Sequence, residues 1–136
     1  MEFHRGRLID HVQLVVRDLE ASRRFYRAVL DVIGVAIVDA GQGYFFADEL
    51  FVSEGEPLTG RIHLAFQAPD RETVQRFHAV GLTAGGRDNG NPGERDYHPG
   101  YYAAFLLDPD GNNIEAVTHG PVTRSAEAVI LRPADQ

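Results

Sequence analysis

Sliding the chain along itself by 52 residues lays His11 over His63 and, in the same register, Asp18 over Asp70, Glu20 over Glu72, Arg24 over Arg76 and Phe25 over Phe77. A repeat of that length restricts the fold to architectures built from two like units. The apolar pattern agrees with the identities. Val12/Leu64, Leu14/Phe66 and Val16/Ala68 occupy equivalent positions, and the same polar break follows in each half.

Each half reads as a strand followed by a helix. Leu8 to Val16 alternates with period two and is rich in β-branched residues, as a half-buried strand requires. Asp18 is then a helix N-cap, and Leu19, Ser22, Phe25, Tyr26, Val29 and Leu30 recur at helical spacing up to the breaker Gly34. Short strands are expected at Val35 to Val38, Tyr44 to Ala47 and Leu50 to Ser53, separated by Gly41, Gly43 and Asp48-Glu49. After a loop from Gly55 to Gly60 the order recurs: strand Arg61 to Ala68, helix Asp70 to Gly81, strand Leu82 to Arg87. A long loop, Asp88 to Gly100, precedes strands at Tyr101 to Leu107 and Asn112 to Thr118, which are joined by a tight turn at Asp108-Pro109-Asp110-Gly111. The expected fold is α+β, with two βαβββ modules (about 8–54 and 61–118) forming a cupped mixed sheet in a single domain. The stretch 119–136 is a weakly patterned tail, a candidate arm for a partner.

Composition removes several kinds of chemistry. There is no cysteine, so any metal must be held by nitrogen and oxygen, and all 13 basic residues are arginines, so no lysine is available for a Schiff base. A net charge of −7 without a clustered basic stripe argues against nucleic acid as a partner. Residues 1–10 have no apolar leader core, and no run reaches a membrane span, so the expected setting is the cytoplasm with no membrane partner.

Alternation also assigns faces. Val12, Leu14 and Val16 form the apolar set that a following helix covers, which leaves His11 and Gln13 on the opposite face. The second unit places His63 and Gln67 likewise. In the last hairpin Ile114 and Ala116 suit the apolar layer, so Asn113 and Glu115 face the concavity, with Phe105 opposite Glu115 if Leu107 pairs with Asn113. Two imidazoles and one carboxylate form a suitable set for one divalent ion with positions left open. A lone mid-strand histidine is ordinarily a hydrogen-bonded core or cleft residue; the repeat and Glu115 are what set His11 and His63 apart. His4, His78, His98 and His119 have no such support and are structural by default. The acids of the 108–112 turn are what a tight hairpin needs, and Arg23, Arg24 and Arg27 read as a solvated helix face. Tyr97, His98, Tyr101 and Tyr102 end a glycine-rich loop that serves either as a substrate lid or as an irregular crossing.

The segment Ile9-Asp10-His11-Val12-Gln13-Leu14-Val15-Val16-Arg17-Asp18, with Phe25-Tyr26 and the ending Leu107-Asp108-Pro109-Asp110-Gly111-Asn112-Asn113-Ile114-Glu115, resembles the vicinal oxygen chelate superfamily of glyoxalases, bleomycin-resistance proteins and extradiol dioxygenases. The resemblance spans about Leu8 to Thr118. It implies that His11, His63 and Glu115 match metal-ligand positions, and that a substrate with two neighbouring oxygens chelates the ion. It also implies paired units, and with edge strands to be covered, a homodimer. No subfamily pattern is complete. Glyoxalase-I-like members carry a further acidic ligand where this chain has Val52, extradiol dioxygenases a tyrosine where it has Phe105, and fosfomycin-modifying relatives a serine-bearing loop and a downstream basic anion clamp where it reads Asn89-Gly90-Asn91-Pro92-Gly93-Glu94-Arg95.

The expectation is therefore an enzyme using one divalent ion (iron, manganese, zinc, nickel or cobalt) as a Lewis acid on a small chelating molecule, by isomerase, lyase or dioxygenase chemistry. Glu115, His98 and Tyr101 are the candidate catalytic residues, the last two as proton carriers. Gln13, Gln67, Phe45, Phe105 and Asn113 are candidate pocket residues. The alternative is a binding protein that sequesters an aromatic or drug-like molecule between Phe45, Tyr101 and Phe105 without turnover.

Overall fold

The computed structural model describes residues 6, 8–39 and 41–134. His4 lies outside them. Nine elements follow in order: β1 (Val12–Val16), α1 (Leu19–Val32), β2 (Tyr44–Ala47), β3 (Leu50–Glu54), β4 (His63–Gln67), α2 (Arg71–Thr83), β5 (Arg87–Glu94), β6 (Tyr102–Leu107) and β7 (Asn113–Thr118). They form two mixed sheets, ordered β1-β3-β2 and β4-β7-β6-β5. In each, the first strand runs parallel to the last of its unit, β1 along β3 and β4 along β7. The repeat is thus a repeat of topology.

Both helices begin where the sequence places their caps. The Asp18 carboxylate accepts from the Ala21 N–H, and Asp70 accepts from both the N–H and the hydroxyl of Thr73, so an acid neutralises donors that the first turn leaves unpaired. The six residues spaced for the inner face of α1, Leu19 through Leu30, are all buried. Gly81 is the point of closest approach between layers. A methyl group there would fall 2.2 Å from Leu106 Cδ1 and 3.1 Å from Val29 Cγ1, so α2 meets α1 and β6 only because it has no side chain at that position. One core results, shared by Leu14, Val16, Phe45 and Val52 of the first sheet, the inner faces of both helices, and Ala104, Leu106, Ile114 and Ala116 of the second sheet. Each sheet turns one face into this core and the other away from it.

Three expectations need correction. Residues 35–38 make a single bridge, Val38 to Phe46, instead of a strand, so the first unit has three regular strands where four were expected. Leu82 is still helical, because α2 continues to Thr83 and is stopped at Ala84. The stretch 88–94, expected as loop, is strand β5, paired antiparallel to β6 with register shifts between Asp88 and Gly90 and between Gly90 and Gly93. Its glycines and Pro92 hide it from propensity; pairing with the buried strand β6 supplies the order.

Candidate functional site

Glu115 sits mid-strand on β7 and is 1% exposed. A carboxylate taken out of water at that depth needs partners. It has two: His63 Nε2 lies 2.7 Å from Oε1, and the Tyr101 hydroxyl donates to Oε2. Strand pairing brings them together. Residues 63 and 113 are opposite each other in the β4–β7 ladder, and Glu115 stands opposite Phe105 in β6, the register expected from pairing Leu107 with Asn113. His63 and Glu115 therefore project from the face that α2 does not cover, and the Phe105 ring lies on that face 6.0 Å from the His63 ring. Asn113 is there too, accepting from the Asn89 amide at 3.0 Å.

His11 is not brought to this pair. It precedes β1 in the other sheet, its side chain is 67% exposed, and its Nδ1 lies 2.6 Å from Asp10. Among the described residues no group of three or more His, Asp or Glu side chains stands together as a metal site. The expected triad within one chain is thus replaced by a pair, His63 and Glu115, with His11 apart. The physical reason is the shared core, which turns the outer faces of the two sheets away from it and hence from each other. Gln13 follows His11 on that first face and donates to Ser53 Oγ at 2.9 Å. Gln67 is on the second, where its oxygen accepts from Arg124 of the tail at 2.7 Å. Phe45 is the clear correction among the pocket residues. It is fully buried beneath α1 against Tyr26, and its neighbours Tyr44 and Phe46 face outward instead.

The aromatic loop closes over Glu115. Tyr101 is flanked edge-on by Tyr97, His98 and His119 at centroid separations of 4.8, 5.4 and 5.2 Å. Burial first, then the hydrogen bond to Glu115, push its phenol well above the ordinary value, so it keeps its proton and stays a donor. His98 touches this ring but not Glu115. Its Nδ1 bonds the Pro99 carbonyl and its Nε2 lies 2.8 Å from His119 Nδ1. With Nδ1–H donated to Pro99, Nε2 is the acceptor for His119. His119, read as structural, is thus half of a stacked histidine pair beside the site. His78 bonds Asp88, and Arg23 and Arg27 are engaged by Asp39, in keeping with structural roles.

Arg95 joins this face although little in its immediate sequence marks it as a site residue. Its guanidinium carbon lies 5.3 Å from the Phe105 ring centre, on the same face as His63 and Glu115. The only signal in the sequence was the Gly90-x-x-Gly93 spacing before it.

A family model for the glyoxalase/bleomycin resistance protein/dioxygenase superfamily matches residues 8–116. The chain belongs to this superfamily. A solved glyoxalase/bleomycin resistance protein from Albidiferax ferrireducens is similar, with 35% identity, a TM-score of 0.70, and coverage of 81% of this chain and 97% of that one. The uncharacterized protein YqjT of Bacillus subtilis is 33% identical, over 80% of this chain and 97% of its own length. The fosfomycin resistance protein FosX from Mesorhizobium loti shares the fold at 24% identity and a TM-score of 0.61, covering 82% of this chain and 92% of that one. Superfamily membership fits two units that each open with a strand followed by a helix. No helix among the described residues is long and apolar enough to cross a membrane.

Proposed function

We propose that this superfamily member is a metal-dependent enzyme acting on a small molecule that presents two neighbouring oxygens. The observation that carries this reading is the 2.7 Å approach of His63 Nε2 to the buried Glu115 carboxylate. One neutral nitrogen and one anionic oxygen, fixed on adjacent strands and open on one side, suit a divalent ion of the transition series or zinc. When bound, that ion would supply Lewis acidity to a chelated hydroxy-carbonyl or diol. The donor set is incomplete within one chain, and His11 is exposed on a face that points away. A second copy would contribute His11 to the pair, which makes the functional unit a homodimer with composite sites.

The chain's own residues have separable roles. Tyr101 holds its proton and fixes the free oxygen of Glu115, so the carboxylate cannot rotate away from the side facing His63. Tyr97 and His98 pack edge-on against the Tyr101 ring and support it there. His98 and His119 form a hydrogen-bonded pair against the Tyr101 ring, a candidate path for passing a proton between His119 Nδ1 and His98 Nε2. Phe105 provides a flat apolar floor beside His63, and Asn113 is held in place by Asn89.

A capture protein is the second reading, and one observation favours it: His63, Glu115 and Tyr101 already satisfy one another without a cation. Metal content separates the two. Protein purified without added metal is expected to hold about one transition ion per Glu115, and His63→Ala or Glu115→Ala to lose it. Wild-type protein that stays metal-free after incubation with manganese, iron, zinc, nickel and cobalt overturns the enzyme reading and supports capture.

A further inference from the structure

Arg95 is a cation without a carboxylate. Its Nη2 donates to the Asn91 carbonyl at 2.8 Å and its Nη1 to the Glu94 carbonyl at 3.3 Å, and no acidic side chain among the described residues forms an ion pair with it. Of the two acids that flank it in the chain, Glu94 accepts from Arg71 at 2.8 Å, and Asp96 forms no ion pair with it among the described residues. Backbone carbonyls orient a guanidinium without neutralising it, and two of its five N–H groups are so used, leaving three. The room it occupies is provided by two glycines. A methyl group at Gly90 would lie 3.3 Å from Arg95 Nη2, and one at Gly93 would lie 3.2 Å from Nη1.

Phe105 connects this cation to the proposed metal pair. One side of the ring neighbourhood holds His63 at 6.0 Å, and Arg95 lies over the ring at 5.3 Å. A planar ligand lying along the edge of Phe105, with its oxygens toward His63 and Glu115, extends its other end toward the guanidinium. A guanidinium stacked on a ring is held by the ring's electrons and keeps its N–H edge for a planar anion.

We propose that Arg95 binds a carboxylate of the substrate, so that the substrate class is a small chelating acid with neighbouring oxygens at one end and the carboxylate at the other. The inference rests on the metal-dependent reading of His63 and Glu115. It assigns specificity to a residue outside the ligand set.

The test uses zinc-loaded full-length protein, protocatechuate (a benzoate with two adjacent hydroxyls) and its primary amide, with equilibrium binding by calorimetry and zinc by elemental analysis. Wild type is expected to prefer the acid over the amide by about tenfold or more, the scale of a charge-assisted hydrogen bond. Arg95→Gln removes the preference by weakening the acid alone, with zinc content unchanged, and Arg95→Lys, which keeps the charge, retains part of it. Equal affinity of the zinc-loaded wild type for acid and amide, equal weakening of both by Arg95→Gln, or no measurable binding of the acid overturns this inference and leaves the metal reading standing. Where the wild type takes up no zinc, the same binding comparison is made with manganese, iron, nickel or cobalt, and a wild type that takes up none of the five overturns the metal reading and this inference with it.

Discussion

The Tyr26 hydroxyl, in the first helix, donates to Asp108 Oδ2 at 2.5 Å, tying α1 to the turn that leads into β7. Both groups are buried, and Asp108 also accepts from the N–H groups of Asp110 and Asn112 and from the Asn112 amide. Asn112 in turn accepts from the Ile62 N–H, just before His63. The turn read as ordinary hairpin chemistry is therefore the joint between the two units, and it sets the start of both strands that carry the His63–Glu115 pair. Tyr26→Phe removes one donor from a buried carboxylate that keeps its others. It is expected to cost about 1–3 kcal/mol, read as a lower urea midpoint at unchanged slope. A variant as stable as wild type would show that the three remaining donors suffice.

Composite sites make a prediction that a one-chain site does not. His11→Ala and His63→Ala are each expected to lack metal when purified alone, read by elemental analysis. Co-expressed, a hybrid dimer pairs the His63 and Glu115 of the first variant with the His11 of the second, which restores one of its two sites. With random pairing the mixed population regains part of the wild-type metal content. A one-chain site gives no recovery at all.

Much of this architecture was legible because it rests on periodicity. The inner face of α1 follows from spacing, and the Phe105–Glu115 register from pairing Leu107 with Asn113 across the hairpin turn. Phe45 was misplaced because Tyr44, Phe45 and Phe46 are aromatic in succession, and a strand apolar on both faces gives parity nothing to distinguish. Strand β5 was missed because its order comes from β6, and its bulges break the alternation that would have placed Arg95 on the face of Phe105. His11 shows the other boundary. Parity gives the face a side chain occupies, but the distance between two faces depends on how the helices pack, which a pattern along one strand does not contain.

Asp88 should leave a mark on acid stability. Its carboxyl is held below the ordinary value, first by the Gly90 N–H and then by His78. A depressed folded-state value means that the contribution is complete above the unfolded value, about 3.9, and is lost as pH falls through the folded one. Asp88→Asn is therefore expected to flatten the acid side of the urea-midpoint profile below about pH 4, relative to wild type, while lowering the midpoint near neutrality. Parallel profiles for the two proteins would remove Asp88 from the account of acid unfolding.

Tyr101 offers a direct optical test of the environment around Glu115. Burial raises its phenol most and the bond to Glu115 next, so the proton stays on where an exposed phenol, with a value of about 10, would lose it. At about pH 10.5, with the fold intact by circular dichroism, wild type and Tyr101→Phe should show the same phenolate absorbance, since the residue removed was not ionised. Glu115→Gln takes away the negative charge that opposes ionisation, and the Tyr101 phenolate should then appear at lower pH than in wild type. One phenolate fewer in Tyr101→Phe than in wild type at that pH would mean that the hydroxyl is open to solvent. The carboxylate would then have His63 as its one partner, and the constraint that keeps Glu115 turned toward His63 would be absent.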